Sequence, residues 1–261
     1  MSDRPGARRS NRGWIPAQHG AWAMLILPVI AGAVVSGPRW AQVALGACWL
    51  VGYLAYHATG RWLRTHRRRR DRTPVLVYGS LAAALGVLTL TLAPHLLRWV
   101  PVYVPLLGIS LWLTVRGRER SLANDVVTVV AACLMAAVTF DAGDGERWAW
   151  LWVVTGILAA YFLGTVLYVK TMIRERGRRA FLRASISYHA VVTVAAGAAV
   201  LVARMSWWLV ATGAALTVRS ALGPAVNARR SLPVRPAVVG VGEIVASIVV
   251  TAVALSAVPG S

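Results

Sequence analysis

Long apolar runs, each ended by a cluster of charged residues, are the feature that most constrains this chain. A bilayer core of about 30 Å needs roughly 17–25 apolar residues for a helix to cross it. Dividing the sequence at its charge clusters predicts an all-α, polytopic transmembrane helix bundle of about nine spans, the first and fifth of them short. The predicted spans are Ala21–Ser36, Trp40–Tyr56, Val75–Ala93, Trp99–Val115, Val126–Phe140, Trp148–Val169, Ile186–Ala203, Trp207–Leu222 and Ala237–Val258.

The composition agrees with a membrane protein. Hydrophobic residues make up 57% and charged residues 14% of the 261 residues, and the mean hydropathy is +0.60. Such values are unusual for a soluble domain. A net charge of +19 in a soluble protein would suggest a nucleic-acid partner. The apolar runs leave too little polar chain for a nucleic-acid module, and even the run Arg67–Arg70 joins two predicted spans, so we expect no nucleic-acid partner.

The basic residues fall on one side of the predicted membrane. If the N-terminus is cytoplasmic, the inner segments and Arg219 hold 24 of the 28 Lys and Arg residues, an asymmetry typical of the positive-inside rule. We therefore predict a cytoplasmic N-terminus and an extracytoplasmic C-terminus in a bacterial plasma membrane, whose anionic headgroups are partners. Residues 1–20 form a basic cytoplasmic segment and residues 21–258 a single transmembrane domain. The inner segments are 1–20, 57–74, 116–125, 170–185 and 223–236.

Aromatic residues support the same division of the chain. Five tryptophans lie where the chain enters a predicted span from the outer side, as in an aromatic belt. They are Trp40, Trp99, Trp148, Trp207 and Trp208. Residues 1–36 also resemble a signal peptide, with a basic start and an apolar core. Pro28 interrupts that core, so a first span is the favoured interpretation.

Polar and ionisable residues are costly within hydrocarbon, so those inside or at the rim of a span are candidates for function. All of them lie towards the cytoplasmic ends of the spans, and we expect the bundle to bring them to one inward-facing cavity. Glu243 stands out because it interrupts an apolar sequence about 9 Å inside the ninth span. The candidates are His19, His57, Asn124, Asp125, Lys170, His189 and Glu243.

Each candidate also has a structural interpretation. Asn124 or Asp125 is suited to cap the fifth helix. Lys170 is suited to extend towards the headgroups. For Glu243 the structural alternative is a buried pair with an arginine or a histidine.

The sequence contains no pattern typical of a metal site. Cys48 and Cys133 lie within apolar runs, and no spacing of Cys and His residues suits zinc. The segment Phe140–Glu146 brings three carboxylates together near two glycines, for which an exposed polar turn is favoured over a cation site. We therefore expect neither a metal nor another cofactor.

A motif at the start of the first span resembles a known family. Gln18-His19-Gly20-Ala21-Trp22, followed by Pro28 and Gly32, is similar to the N-terminal motif of the YwiC-like family of bacterial integral membrane proteins. Further similar segments cover nearly the whole chain, and the resemblance implies a family without implying an activity. They are Arg118–Asp125, Tyr168–Arg176, Ser187–His189 and Gly242–Ile244.

A looser resemblance concerns architecture alone. Nine spans, a cytoplasmic N-terminus and prominent loops after spans two and six are similar to the UbiA-type intramembrane prenyltransferases. That family carries aspartate-rich motifs in these loops, which hold magnesium against the pyrophosphate of the substrate. Here the loops are rich in arginine, with Asp71 and Glu175 isolated. Because magnesium prefers several oxygen ligands, standard prenyl transfer is not expected.

The first hypothesis is a transferase-like protein that binds an isoprenoid or phospholipid (pyro)phosphate at the cytoplasm-facing cavity. The loop after span six contains arginines that either orient the chain in the membrane or neutralise such phosphates. Glu243, His189 and His19 are the candidates for proton transfer if a reaction takes place. The predicted ligand-binding residues are Gln18, His19, Asn124, Asp125, Lys170, Arg174, Arg176, His189 and Glu243.

Two alternatives belong to other classes of function. A transporter for a small solute would use bends at Pro28, Pro105 and Pro224, with Glu243 as a proton-coupled gate. Proline kinks are common in membrane helices without transport. An accessory membrane protein without catalytic activity is the third possibility. The sequence leaves catalysis and the oligomeric state open.

Overall fold

The computed structural model describes Trp14 and residues 19–65, 69–229 and 234–257, and this part of the chain contains helices and no strands. The all-α prediction is therefore confirmed. A 3-10 helix, Pro94–Trp99, leads into the fourth α-helix. The α-helices of the described residues are α1 (His19–Ser36), α2 (Trp40–Arg64), α3 (Arg69–Leu92), α4 (Val100–Val115), α5 (Leu122–Ala142), α6 (Trp148–Ile173), α7 (Arg179–Ala203), α8 (Trp208–Arg229) and α9 (Pro236–Leu255).

Seven helices of the described chain, α3 to α9, are long and apolar enough to cross a membrane, with α4 taken together with the preceding 3-10 helix. α1 is a shorter apolar helix that contains Pro28. α2 has 25 residues but includes polar residues such as Gln42 and His57. The prediction of a polytopic helix bundle is confirmed, and the crossing of the bilayer by α1 and α2 stays a prediction.

Several helices extend beyond the predicted spans. α2 continues to Arg64 instead of ending at Tyr56, and α8 continues to Arg229 instead of Leu222. Arginine is a favourable helix former, so a charged sequence can end an apolar span without ending the helix. The sequence predicts where the apolar part of a helix ends and not where the helix itself ends.

The core of the bundle lies where α1, α5, α6 and α9 meet. Half of the apolar part of α5 is buried, against 6% for α3, so α5 is central and α3 is peripheral. Ala31 of α1, Val129 of α5, Leu158 of α6 and Ala254 of α9 belong to one buried cluster. α1 and α5 pack closely at Gly32, where an added Cβ would lie 2.3 Å from the Ala136 carbonyl oxygen. Small residues commonly allow such close approach between membrane helices.

Two helical hairpins flank this core, α2 with α3 and α7 with α8. Thr193 of α7 and Thr217 of α8 share a hydrogen bond of 3.0 Å between their hydroxyl groups. The outer faces of the peripheral helices carry exposed valines such as Val87, Val194 and Val218. In a membrane these faces are suited to contact lipid tails.

The two ends of the bundle differ in charge. Where α2, α4, α6 and α8 finish, Arg64 pairs with Glu119, and Lys170 Nζ lies 2.7 Å from Asp125 Oδ2. We call this the basic end, and the end where α1, α3, α5, α7 and α9 finish the opposite end. The described chain begins at the basic end and finishes at the opposite end.

Asp141 joins α5 to the start of α4 at the opposite end. Its buried carboxylate accepts two hydrogen bonds from the Arg98 guanidinium, one of them 2.8 Å from Nε to Oδ2, and one of 2.8 Å from Trp99 Nε1. His95 Nε2 lies 3.1 Å from the Asp141 carbonyl oxygen. The prediction of an exposed turn over Phe140–Glu146 is therefore wrong for Asp141, because α5 continues to Ala142 and turns this side chain inward.

Gln42 makes a second polar junction at the opposite end. Its Nε2 donates to Ser36 Oγ at 2.7 Å and to the Thr139 carbonyl oxygen at 3.0 Å. Gln42 therefore ties α2 to α1 and α5. Since α1 packs against α9, this junction also limits the position of α9.

Asp141→Asn tests the junction at Asp141. We expect a loss of about 2–3 kcal/mol in the free energy of unfolding, because hydrogen bonds to a charged group are lost at a buried position. Asp144→Asn is the matched control: Asp144 pairs with Arg39 at 2.6 Å, but both side chains are exposed. An exposed ion pair contributes about 1 kcal/mol or less. Unfolding of the purified protein in mixed micelles measures both values, and equal losses would contradict the role of Asp141.

Candidate functional site

Glu243 is buried in α9 and receives hydrogen bonds from two other helices. Arg219 of α8 donates from NH1 to Oε1 at 2.7 Å and from NH2 to Oε2 at 3.4 Å. Thr165 and Tyr161 of α6 donate their hydroxyl groups to Oε2 at 3.0 and 3.4 Å. The sequence allows for a buried pair of Glu243 with an arginine or a histidine, and in the structure the partner is Arg219.

The spacing of polar residues explains why Glu243 faces α6. Glu243, Ser247 and Thr251 recur every four residues in an otherwise apolar helix, so they share one face, and all three are buried. Ser247 Oγ also lies 3.1 Å from the Tyr161 hydroxyl group. A line of polar side chains therefore runs along the α6–α9 interface for about 12 Å, eight residues at the helical rise.

Arg219 differs from Glu243 in its access to the outside. The Arg219 side chain is 25% exposed, whereas the Glu243 side chain is 4% exposed. The guanidinium carbon lies 4.3 Å from the centroid of the Tyr168 ring, a cation–π contact. Arg219 Nε has no hydrogen-bond partner among the described residues. The guanidinium is thus held on two sides, and its Nε is a buried donor without a partner among the described residues.

His189 of α7 lies beside the same part of α6. Its Nδ1 is 2.7 Å from the Ser185 carbonyl oxygen, and a Cβ added at Gly164 would lie 2.9 Å from its Nε2. A glycine at 164 therefore makes room for the imidazole. His189 is also within electrostatic range of Arg219. We call the group of Tyr161, Thr165, Tyr168, His189, Arg219 and Glu243 the α6–α9 site.

Asn124, Asp125 and Lys170 form contacts elsewhere at the basic end. Lys170 pairs with Asp125 and donates to the Arg120 carbonyl oxygen at 2.8 Å. Asn124 Oδ1 accepts a hydrogen bond of 2.7 Å from Ser110 of α4. These contacts join α4, α5 and α6. In the described chain, Asn124 and Asp125 therefore do not join Glu243 in the single cluster that the sequence predicts.

The N-cap of α5 is neither of the two predicted residues, Asn124 and Asp125. Ser121 occupies the cap position, and its hydroxyl group accepts a hydrogen bond of 3.3 Å from the Asn124 backbone N–H. Asn124 and Asp125 lie inside the first turn instead. Capping by Asn124 or Asp125 is therefore the wrong structural interpretation, because the helix begins at Leu122, four residues before the predicted span.

The remaining predicted residues lie at the basic end or outside the described chain. Arg174 follows the last residue of α6 and is exposed. Arg176 donates to the Asn227 carbonyl oxygen at 2.8 Å and so links the ends of α6 and α8. Gln18 lies outside the described residues, and His19 is described only as the first residue of α1.

The sequence does contain a signal for the α6 part of the site. Tyr161, Thr165 and Tyr168 follow a helical spacing of four and three residues inside an apolar span, which predicts a single face. Arg219 gives no comparable signal, because its position near a span end is equally typical of a residue that orients the chain. Only the packing of α8 against α9 identifies it as the partner of Glu243.

The α6–α9 site is built around one charge-compensated ion pair. One carboxylate faces one guanidinium, and two hydroxyl groups complete the contacts. In the described residues, no group of three His, Cys, Asp or Glu side chains could hold a metal ion. A guanidinium group, in contrast, matches the oxygen spacing of a carboxylate or phosphate.

The fold and this site define a multi-pass α-helical membrane protein with a buried ion pair between two helices. The sequence model of the YwiC-like protein family matches residues 15–140. The chain is 35% identical over 176 residues to the uncharacterized protein YwiC of Bacillus subtilis, covering 67% of this chain and 73% of that protein. The chain therefore belongs to the YwiC-like family, as its motifs predict.

A second bacterial relative agrees with this assignment. An uncharacterized protein of Haemophilus influenzae is 25% identical over 178 residues, covering 67% of this chain and 74% of that protein. No solved structure matches the chain. The resemblance to the UbiA-type enzymes therefore stays a prediction.

A double-mutant cycle tests the coupling of Arg219 and Glu243. We expect Arg219→Leu to lower the free energy of unfolding by about 3 kcal/mol or more, because it leaves a buried carboxylate without its charged partner. The double variant Arg219→Leu/Glu243→Leu should lose less than Arg219→Leu alone. The same unfolding measurement in micelles gives the coupling energy. Additive losses would show that the two side chains do not stabilise each other.

Proposed function

We propose that the protein binds the phosphate or pyrophosphate group of an isoprenoid or a phospholipid at the basic end of the bundle. The observation that carries this proposal is the partly exposed Arg219 side chain, whose guanidinium is held in place by Glu243 and Tyr168. A guanidinium group fixed in this way can donate two parallel hydrogen bonds to phosphate oxygens with little loss of side-chain entropy.

The positive charge of the basic end also favours a ligand with negative charge. The connection between α6 and α7 exposes Arg174, Arg178 and Arg179 at the basic end. Clustered positive charge raises the local concentration of an anionic ligand and its rate of association. In this proposal the arginines neutralise the phosphate groups. In other proteins, magnesium held by paired aspartates does this.

The exposed apolar faces of α7 and α8 suit the remainder of such a ligand. Val191 and Val194 of α7 and Val218 and Leu222 of α8 are exposed and lie on the two helices that pack beside the site. An acyl or isoprenoid chain on these faces would stay in the hydrocarbon while its phosphate reaches Arg219. A lipid is for this reason favoured over a fully water-soluble phosphate.

The proposal places the basic end in the cytoplasm, because loops rich in Lys and Arg are retained on that side. Single added cysteines test this orientation. We expect Asp144→Cys, at the opposite end, to react with a membrane-impermeant maleimide in intact cells. Arg183→Cys, which is exposed at the basic end, should react only after the cells are made permeable. The reverse pattern would place the site on the extracytoplasmic side.

Binding to purified protein in micelles tests the ligand class. The probes are farnesyl diphosphate, dioctanoyl phosphatidic acid and inorganic pyrophosphate, which separate an isoprenoid source, a phospholipid source and the headgroup alone. We expect at least one lipid probe to bind the wild type, with at least a tenfold weaker dissociation constant in Arg219→Gln/Glu243→Gln, as expected for the loss of about 1.4 kcal/mol or more.

Arg183→Gln is the matched control, because it removes one exposed charge from the same end. It should bind the lipid probes within about twofold of the wild type, as for a solvent-exposed charge. Equal losses in both variants would indicate a general effect of charge and not a site at Arg219. Failure of all three probes to bind the wild type would contradict the proposal and favour the transport of a small solute.

A further inference from the structure

The α6–α9 site already contains an anion. The Glu243 carboxylate occupies both terminal nitrogens of Arg219, at 2.7 and 3.4 Å, and these are the donors that a phosphate group would use. A phosphate that binds Arg219 must therefore displace this carboxylate or share the guanidinium with it. The fate of the displaced carboxylate decides whether binding is favourable.

We infer that a phosphate ligand binds Arg219 in exchange for the Glu243 carboxylate, and that Glu243 takes up one proton in the same step. This inference rests on the proposed function and assigns a mechanism to that site. It makes the affinity for the ligand depend on the proton concentration at the basic end.

The charge balance of the site is the first argument. Before binding, one guanidinium and one carboxylate compensate each other in a site whose carboxylate is almost completely buried. A phosphate added without a proton would place two anions beside one cation in a medium of low dielectric constant, which is strongly unfavourable. Protonation of Glu243 removes one of these anions and lowers the negative charge around the single guanidinium.

The direction of access is the second argument. Arg219 is the more exposed partner and Glu243 the deeper one. A ligand therefore meets the Arg219 side chain before it meets the Glu243 carboxylate. Tyr168 contacts the guanidinium independently of Glu243, so the cation stays in position when the carboxylate releases it.

The hydrogen-bond partners of Glu243 suit both of its protonation states. Tyr161 and Thr165 donate hydroxyl groups to the carboxylate. A hydroxyl group can also accept a hydrogen bond. Either residue can therefore accept a hydrogen bond from the protonated Glu243 carboxyl group, without any change of partner. Ser247 lies 3.1 Å from the Tyr161 hydroxyl group and can complete the rearranged hydrogen bonds.

Few other charged or titratable groups in the described chain face Glu243. α6 contributes Tyr161 and Tyr168, and α8 contributes Arg219. His189 of α7 is in electrostatic range of Arg219. The described side chains of α1, residues 21–36, include no acid, base or tyrosine. Glu243 is thus the acidic group of the site, and its protonation directly changes the net charge of the site.

The step involves no covalent change in the ligand. A proton from the aqueous phase binds one oxygen of the Glu243 carboxylate, and the Arg219 N–H groups exchange that carboxylate for two phosphate oxygens. The reverse step releases the ligand and the proton together. Ligand release is therefore favoured when the proton concentration falls.

Isothermal titration calorimetry with farnesyl diphosphate in two buffers of different ionisation enthalpy counts the protons taken up. We expect the wild type to take up about one more proton per ligand than Glu243→Gln. The titration of the diphosphate itself contributes equally to both proteins and cancels in this difference. The dissociation constant of the wild type should therefore rise with pH, by at most about tenfold per pH unit for one proton, relative to that of Glu243→Gln.

Infrared difference spectroscopy of the wild type provides a second measurement that needs no variant. Addition of the diphosphate should produce the C=O stretch of a protonated carboxyl group, which shifts in D2O. The absence of this band would overturn the inference even if Glu243→Gln fails to fold. Equal proton uptake by both proteins, with unchanged binding, would also overturn it and leave the proposed function intact. Absence of binding by the wild type at every pH would instead contradict the proposed function.

Discussion

A buried carboxylate in a membrane-spanning bundle needs hydrogen-bond donors from a neighbouring helix, and this requirement constrains how the helices of this protein meet. Hydrocarbon offers no water to an unpaired carboxylate, so Asp141 and Glu243 must each recruit an arginine. Asp141 joins α5 to the start of α4, and Glu243 joins α9 to α8 and α6. Apolar contacts fill the space between these points but are less specific, because lipid tails are as apolar as the side chains.

The two carboxylates differ in the partners that surround them. Asp141 receives hydrogen bonds from Arg98 and Trp99, whose nitrogens can only donate. These two residues therefore offer Asp141 hydrogen-bond donors and no acceptor. Glu243 is contacted by two hydroxyl groups, which can donate or accept. Asp141 is therefore contacted by donors alone, whereas the contacts of Glu243 include groups that can also accept a hydrogen bond.

The sequence predicts the helices better than it predicts their contacts. Apolar runs identify the nine α-helices of the described residues because their length and composition are set by the bilayer. The helix ends differ, as at Arg64 and Ser121, because arginines continue a helix and a serine begins one outside the apolar region. Glu243 is recognisable as an isolated acid in an apolar run. Arg219 and Asp141 are not recognisable in this way, because a charge near the end of a span is usually solvated. Only the packed helices show that these two side chains are buried or paired.

The family match covers helices that hold α9 in position, and this relates the N-terminal motif of the family to the α6–α9 site. The match covers residues 15–140, which form α1 to α5, whereas the α6–α9 site is built from α6 to α9. α1 packs against both α5 and α9, and close contact at Gly32 sets its distance from α5. The junctions at Gln42 and Asp141 hold α1, α2, α4 and α5 together at the opposite end. The matched helices thus form the support against which α9 places Glu243, and a change in α1 is expected to reach the site through the position of α9.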